Sequence, residues 1–127
     1  MKNVKQANIN ITLKKLFLKW LDITGSFHNL TNQQKSVLAL FLYYHYKYKQ
    51  EITNEKILWK LVFDYETKLL IEKELDLKNA GLRNILTLLR KRNIINEKNE
   101  ITPAYIPELG PDSKEFKVIF NFNIIHE

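Results

Sequence analysis

Asn79-Ala80-Gly81-Leu82-Arg83-Asn84-Ile85-Leu86-Thr87-Leu88-Leu89-Arg90-Lys91-Arg92 is the stretch on which the fold reading turns. Leu82, Ile85, Leu86 and Leu89 recur at three- and four-residue spacing, which predicts an amphipathic helix over Asn79 to Arg92. Arg83, Asn84 and Thr87 fall between them and belong to its solvent side. Immediately upstream, Asp76 to Asn79 reads as a tight connection. Before it, Asp64 is placed to cap a helix through about Leu75, with Leu69, Leu70 and Leu75 inward. Immediately downstream come Ile94-Ile95, the polar run Asn96-Glu97-Lys98-Asn99-Glu100 and Ile101-Thr102. Two short β-prone pieces around a polar turn predict a hairpin, and Pro103 and Pro107 limit how far it can pair.

Further out, Thr31 with Gln34 three residues on forms a capping-box signature. The helix it opens is expected to run to about Lys49, with Val37, Leu38, Phe41, Leu42 and Tyr44 or His45 inward. Thr53 is expected to cap a shorter helix through about Phe63, with Ile57, Leu58, Leu61 and Val62 inward. Near the start, Asn8 to Leu13 alternates and reads as a strand. Lys14 to Ile23 is helical, with Leu16, Phe17, Trp20 and Leu21 on one face and Gly25 ending it. Glu108 to Ser113 reads as a loop. Phe116 to Phe122 alternates cleanly, with Phe116, Val118, Phe120 and Phe122 on one face, and is expected to be a core strand or an edge that pairs with another chain.

The expected fold class is α+β, a helical cluster packed on a small, mostly antiparallel sheet. With 127 residues, 45% apolar and 27% charged, the chain is expected to form one domain over residues 1–127. Within it, residues 1–29 form an N-terminal strand and helix extension, 30–106 the central helices and hairpin, and 107–127 a loop and C-terminal strand.

The order of these central elements resembles a winged helix-turn-helix domain. The resemblance rests on Glu66 to Leu75, the turn Asp76-Leu77-Lys78, the helix Asn79 to Arg92, and the following Ile94-Ile95 to Thr102-Pro103. Leu88 to Ile95 is similar to the end of many winged-helix recognition helices, and Leu30 to Leu38 resembles the first helix of such domains. It covers roughly Leu30 to Ile106. Asn93 stands where the family often has glycine, and Gly81 lies inside the second helix rather than at the turn. The overall pattern looks most like small winged-helix proteins of bacteriophages, and the Lys-, Asn- and Ile-rich composition suits an AT-rich bacterial or phage genome.

What the resemblance implies is a DNA-binding protein, such as a phage or bacterial transcriptional regulator, with double-stranded DNA as partner. Its base readers would be Lys78, Asn79, Arg83, Asn84 and Thr87, and Lys98 on the wing would meet phosphate. The charge distribution pulls the other way. The net charge is +6, but residues 1–60 hold ten lysines against Asp22, Glu51 and Glu55. The remaining residues are slightly acidic. A second expectation is therefore a structural or assembly protein using the same framework for protein–protein contacts, such as a portal or tail ring component of a bacteriophage virion, and forming a homo-oligomer. The cluster Tyr43, Tyr44, Tyr46 and Tyr48 is its candidate interface, since Tyr is enriched at interfaces. The same tyrosines equally suit a role in finishing the core or stacking bases. Arg90-Lys91-Arg92 equally suits complementing a helix C-terminus.

Other classes lack residues. The chain has no cysteine, which excludes disulfides and a thiol nucleophile. His28, His45 and His126 are far apart, and no carboxylate stands at ligand spacing from them. Asp64/Glu66 and Glu72/Glu74 are two apart on a helix and do not face each other. No phosphate-binding glycine loop or nucleophile elbow is present. The expectation is no enzyme, no catalytic residue, no metal and no cofactor. The opening residues show no signal-type apolar run and no stretch is long enough to span a membrane. The expected location is the cytoplasm, that of a bacterial host, or the virion for the assembly reading.

Overall fold

The computed structural model describes residues 4–127; Met1 to Asn3, where the predicted N-terminal extension starts, lie outside them. Among the described residues six helices follow in order: α1 Leu13–Ile23, α2 Gly25–His28, α3 Asn32–Lys49, α4 Glu55–Val62, α5 Tyr65–Leu75 and α6 Asn79–Lys91. A single 3-10 turn, Pro103–Tyr105, comes after them.

The longer helices other than α6 start where a side chain satisfies one of their first free amides. Thr12 Oγ accepts from Lys15 N–H, and Asn54 Oδ1 from Ile57 N–H. Asp64 Oδ1 accepts from Thr67 N–H. At α3 both halves of the predicted capping box form: Gln34 N–H donates to Thr31 Oγ, and Thr31 N–H donates to Gln34 Oε1. Helix α5 ends on Asp76 in the left-handed conformation, φ 52°, which lets Leu77 N–H reach back to Glu72 C=O. Asp and Asn tolerate that region because their short polar side chains bond locally, so Asp76 makes the turn without glycine. Asn93, φ 57°, does the same after α6.

Helix α3 is the centre of the packing and touches α1, α4, α5 and α6. Its Val37, Leu38, Phe41 and Leu42 are buried with Phe17 and Leu21 of α1, Leu58, Trp59 and Val62 of α4, and Ile71 of α5. Leu82, Ile85, Leu86 and Leu89 close the core from α6, as their spacing predicts. Ile94, Ile95 and Ile101 seal its edge.

The α+β expectation is overturned. Of the described residues, 55% are helical and 2% are strand. Among the described residues the one β contact is an isolated antiparallel bridge, Ile95 to Ile101. The turn itself is tight: Asn96 N–H donates to Glu100 C=O, and Asn96 Oδ1 accepts from Lys98 and Glu100 N–H. It cannot lengthen into a ladder. Pro103 lacks a donor, and the chain enters its 3-10 turn at once.

The two outer strands are also corrected. Asn8 to Thr12 is unpaired, because Thr12 serves as a helix cap and Leu13 already belongs to α1. Phe116 to Phe122 is unpaired too. Of the expected core row only Phe116 is partly covered, edge-on to Trp20 with ring centroids 6.0 Å apart. Val118, Phe120 and Phe122 are exposed.

Smaller corrections follow from which face the core occupies. Gly25 opens the short α2 rather than ending α1, and Asn54 rather than Thr53 caps α4. Ile57, Leu69 and Leu70 point to solvent, while Ile71 and Thr67 carry the contact of α5 with the core. The loop after the 3-10 turn is strapped down at two points. Trp20 Nε1 donates to Tyr105 C=O at 2.9 Å, and Tyr46 OH donates to Gly110 C=O at 3.1 Å.

Candidate nucleic-acid interface

The core fixes α6 through one face, so everything on the other face is presented outward. Asn79, Arg83, Asn84 and Thr87 are all exposed. Asn79, Arg83 and Thr87 are four apart and form one row. Arg83 Nη2 donates to Asn79 Oδ1 at 2.8 Å, and Thr87 Oγ donates to Arg83 C=O at 2.9 Å. Arg83 is thus held along the helix surface. Lys78 is the N-cap of α6, and its side chain makes no capping bond. The first amides of α6 therefore lack a side-chain acceptor at the positive end of the helix dipole.

The hairpin turn sits beside the other end of α6. Arg90 Nη2 donates to Asn99 Oδ1 at 3.2 Å, which ties the turn carrying the exposed Lys98 to the helix. Arg92 is not part of this face: its Nη1 donates to the carbonyls of His28 and Asn29 at 3.1 and 3.2 Å. It braces the end of α2, where Asn29 is left-handed. Of the three cations expected near the helix terminus, one has become a strut and one fixes the turn.

Between α5 and α6 lies a shallow groove of about 190 Å³ lined by Lys68, Glu72, Asn79, Leu82, Arg83, Leu86 and Arg90. Three cations face one carboxylate there. Sequence reasoning missed Lys68 and Arg90 as neighbours of the row Asn79, Arg83 and Thr87. The signal available was that Lys68 and Glu72 are four apart on α5, on the side next to Thr67 and Ile71. The acidic character of the second half is partly cancelled across the fold, because Glu74 is paired with Lys14 of α1 at 2.7 Å.

The tyrosines do not form one surface. Tyr43 and Tyr44 meet edge to face at 5.2 Å, and Tyr44 stacks on Tyr48 at 5.8 Å. Lys14 and Lys47 lie over the Tyr43 ring. The phenol of Tyr44 is pushed up in pKa, chiefly by burial. Tyr46 faces elsewhere, against Phe17 and Gly110. Tyr48 is half-buried and tied to α5: Thr67 Oγ gives its proton to Leu61 C=O, so the Tyr48 OH donates to Thr67.

Among the described residues, no three His, Asp or Glu side chains gather in a way that would hold a metal ion. None of the described helices is long and apolar enough to cross a membrane. Compared with known protein families, curated proteins and solved structures, the chain matches none.

Proposed function

We propose that this protein binds double-stranded DNA in the manner of a helix-turn-helix, without enzymatic activity, as a phage or bacterial regulator would. The reading is carried by the outward row Asn79, Arg83 and Thr87, with Asn84 beside it, on a helix whose opposite face is buried. A helix of this size fits the major groove. In that placement Arg83 pairs with guanine and Asn79 or Asn84 with adenine. Lys68, Lys98 and the open N-terminus of α6 meet phosphates. The Arg83–Asn79 bond pre-orients the guanidinium and must be exchanged for base contacts on binding.

The test is binding to a random-sequence duplex between about 50 and 200 mM salt. A steep loss of affinity with salt supports the reading. Arg83→Glu is expected to weaken binding on the order of ten- to a hundredfold. If the wild-type chain does not bind at the low-salt end, or Arg83→Glu binds equally well, α6 is not a DNA reader.

A second reading, a virion or other assembly protein, is favoured by a different observation. Tyr65, Leu69 and Leu70 are exposed on α5, at 70%, 40% and 47%, where a phosphate-facing helix usually carries polar groups. A stable ring or higher oligomer on gel filtration without DNA, with no salt-dependent DNA binding, selects this reading.

A further inference from the structure

The segment from Phe116 onward is extended and has no partner strand among the described residues, yet it is among the most apolar parts of the chain. Ile119, Phe122, Ile124 and Ile125 are 76%, 85%, 77% and 86% exposed. Leaving so much apolar surface in water is unfavourable by roughly 25 cal/mol per Å². Extended backbone also carries free N–H and C=O groups that a second strand satisfies.

The sequence here is close to a palindrome centred on Phe122. When two copies are laid antiparallel with Phe122 opposite Phe122, Asn121 faces Asn123, Phe120 faces Ile124, Ile119 faces Ile125, Val118 faces His126, and Lys117 faces Glu127. Apart from Val118 against His126, apolar meets apolar, amide meets amide, and cation meets carboxylate. Shifting the centre by one residue destroys this. About Asn121, Lys117 faces Ile125 and Glu115 faces Glu127. Directly opposite residues share a face of a ribbon, so Val118, Phe120, Phe122 and Ile124 from both copies line one side.

We propose that this segment is a dimerisation strand whose partner is the same segment of a second copy, in the register centred on Phe122. The interface is isologous, as a two-fold dimer requires. The two phenylalanines can each bury on the order of 200 Å². With the neighbouring aliphatics and the surface they rest on, the segment reaches the scale of roughly 800 Å² per partner found in stable dimers. A bare two-stranded ribbon is marginal in water. Its apolar side therefore rests on the helical bodies, beginning where Phe116 already packs against Trp20. The inference is independent of the DNA reading, and its test contains no nucleic acid.

The absence of cysteine makes the register directly testable. Phe122→Cys places two thiols opposite each other and is expected to give a disulfide-linked dimer under mild oxidation. Phe120→Cys sets the two thiols four positions apart along the ribbon, roughly 13 Å, beyond disulfide reach, and stays unlinked. Phe120→Cys with Ile124→Cys restores the link. In sedimentation equilibrium the wild-type chain is a dimer, and a chain shortened to residues 1–115 keeps its helical circular dichroism and is a monomer. A monomeric wild-type chain, a dimeric shortened chain, or equal cross-linking of Phe120→Cys and Phe122→Cys would each overturn the proposal.

Discussion

His45 and Trp59 lie face to face, their ring centroids 4.3 Å apart and their planes 15° from parallel. The stack joins α3 to α4, and Trp59 Nε1 donates to Glu55 Oε2 at 3.2 Å. Burial pushes the His45 imidazole down to a pKa of about 4; Lys49 acts in the same direction and Glu55 against it. The folded protein therefore keeps His45 neutral where the unfolded chain, with a pKa near 6.5, takes up a proton. Above pH 6.5 neither state is protonated and the histidine adds no pH dependence. As pH falls from 6.5 towards 4 the unfolded state binds more protons, and stability drops by about 2 kcal/mol by pH 5. His45→Phe keeps an aromatic ring against Trp59 without the titration. Urea unfolding at pH 7.5 and 5 should show that the variant loses less stability than the wild type; equal losses would exonerate His45.

Thr67 is a buried junction. Its hydroxyl joins Leu61 C=O to Tyr48 OH, and its amide is capped by Asp64. Thr67→Val preserves shape but leaves a half-buried carbonyl and a half-buried phenol without this partner. Leaving buried polar groups unpaired costs roughly 1–3 kcal/mol each. A lowered urea midpoint at unchanged m-value is the expected result, and an unchanged midpoint would show that water replaces the hydroxyl.

The capping box of α3 is expected to contribute measurably because α1, α4, α5 and α6 all lean on α3. Thr31→Ala should cost about 1 kcal/mol, whereas Thr31→Asp should restore most of it. Thermal unfolding of the two variants distinguishes a cap from a merely tolerated threonine, which would show no such rescue.

Under the DNA reading, Lys98 on the hairpin turn makes a phosphate contact and no base contact. Lys98→Ala should weaken binding to every duplex alike and reduce the slope of log affinity against log salt by about 1. A change in sequence preference, with the slope intact, would place Lys98 at a base instead.

Much of the helical framework was legible residue by residue. The three-four spacing of Leu82, Ile85, Leu86 and Leu89 predicts both α6 and its buried face. Thr31 with Gln34 predicts the start of α3. These signals are local: a helix satisfies its own backbone hydrogen bonds, so its pattern needs no distant partner to be read. On α5 the sequence reads Leu69 and Leu70 as inward, and only the packing against α3 shows that Thr67 and Ile71 face the core instead. In the same way, the exposed row Asn79, Arg83 and Thr87 could be placed from α6 alone. Its neighbour Lys68 could not, since it reaches the row across the α5–α6 contact.

The strand expectations failed for the complementary reason. Alternation in Asn8 to Leu13 and Phe116 to Phe122 shows that a segment suits a pleated surface, but a strand exists only when another backbone meets its donors and acceptors. By itself, then, the sequence determined where the longer helices run, that Thr31 and Asp64 open α3 and α5, and which face of α6 is buried. Only the tertiary structure decided that the core closes with helices and one Ile95–Ile101 bridge, that Arg92 is spent on α2, and that the Phe116 segment finds no partner within its own fold.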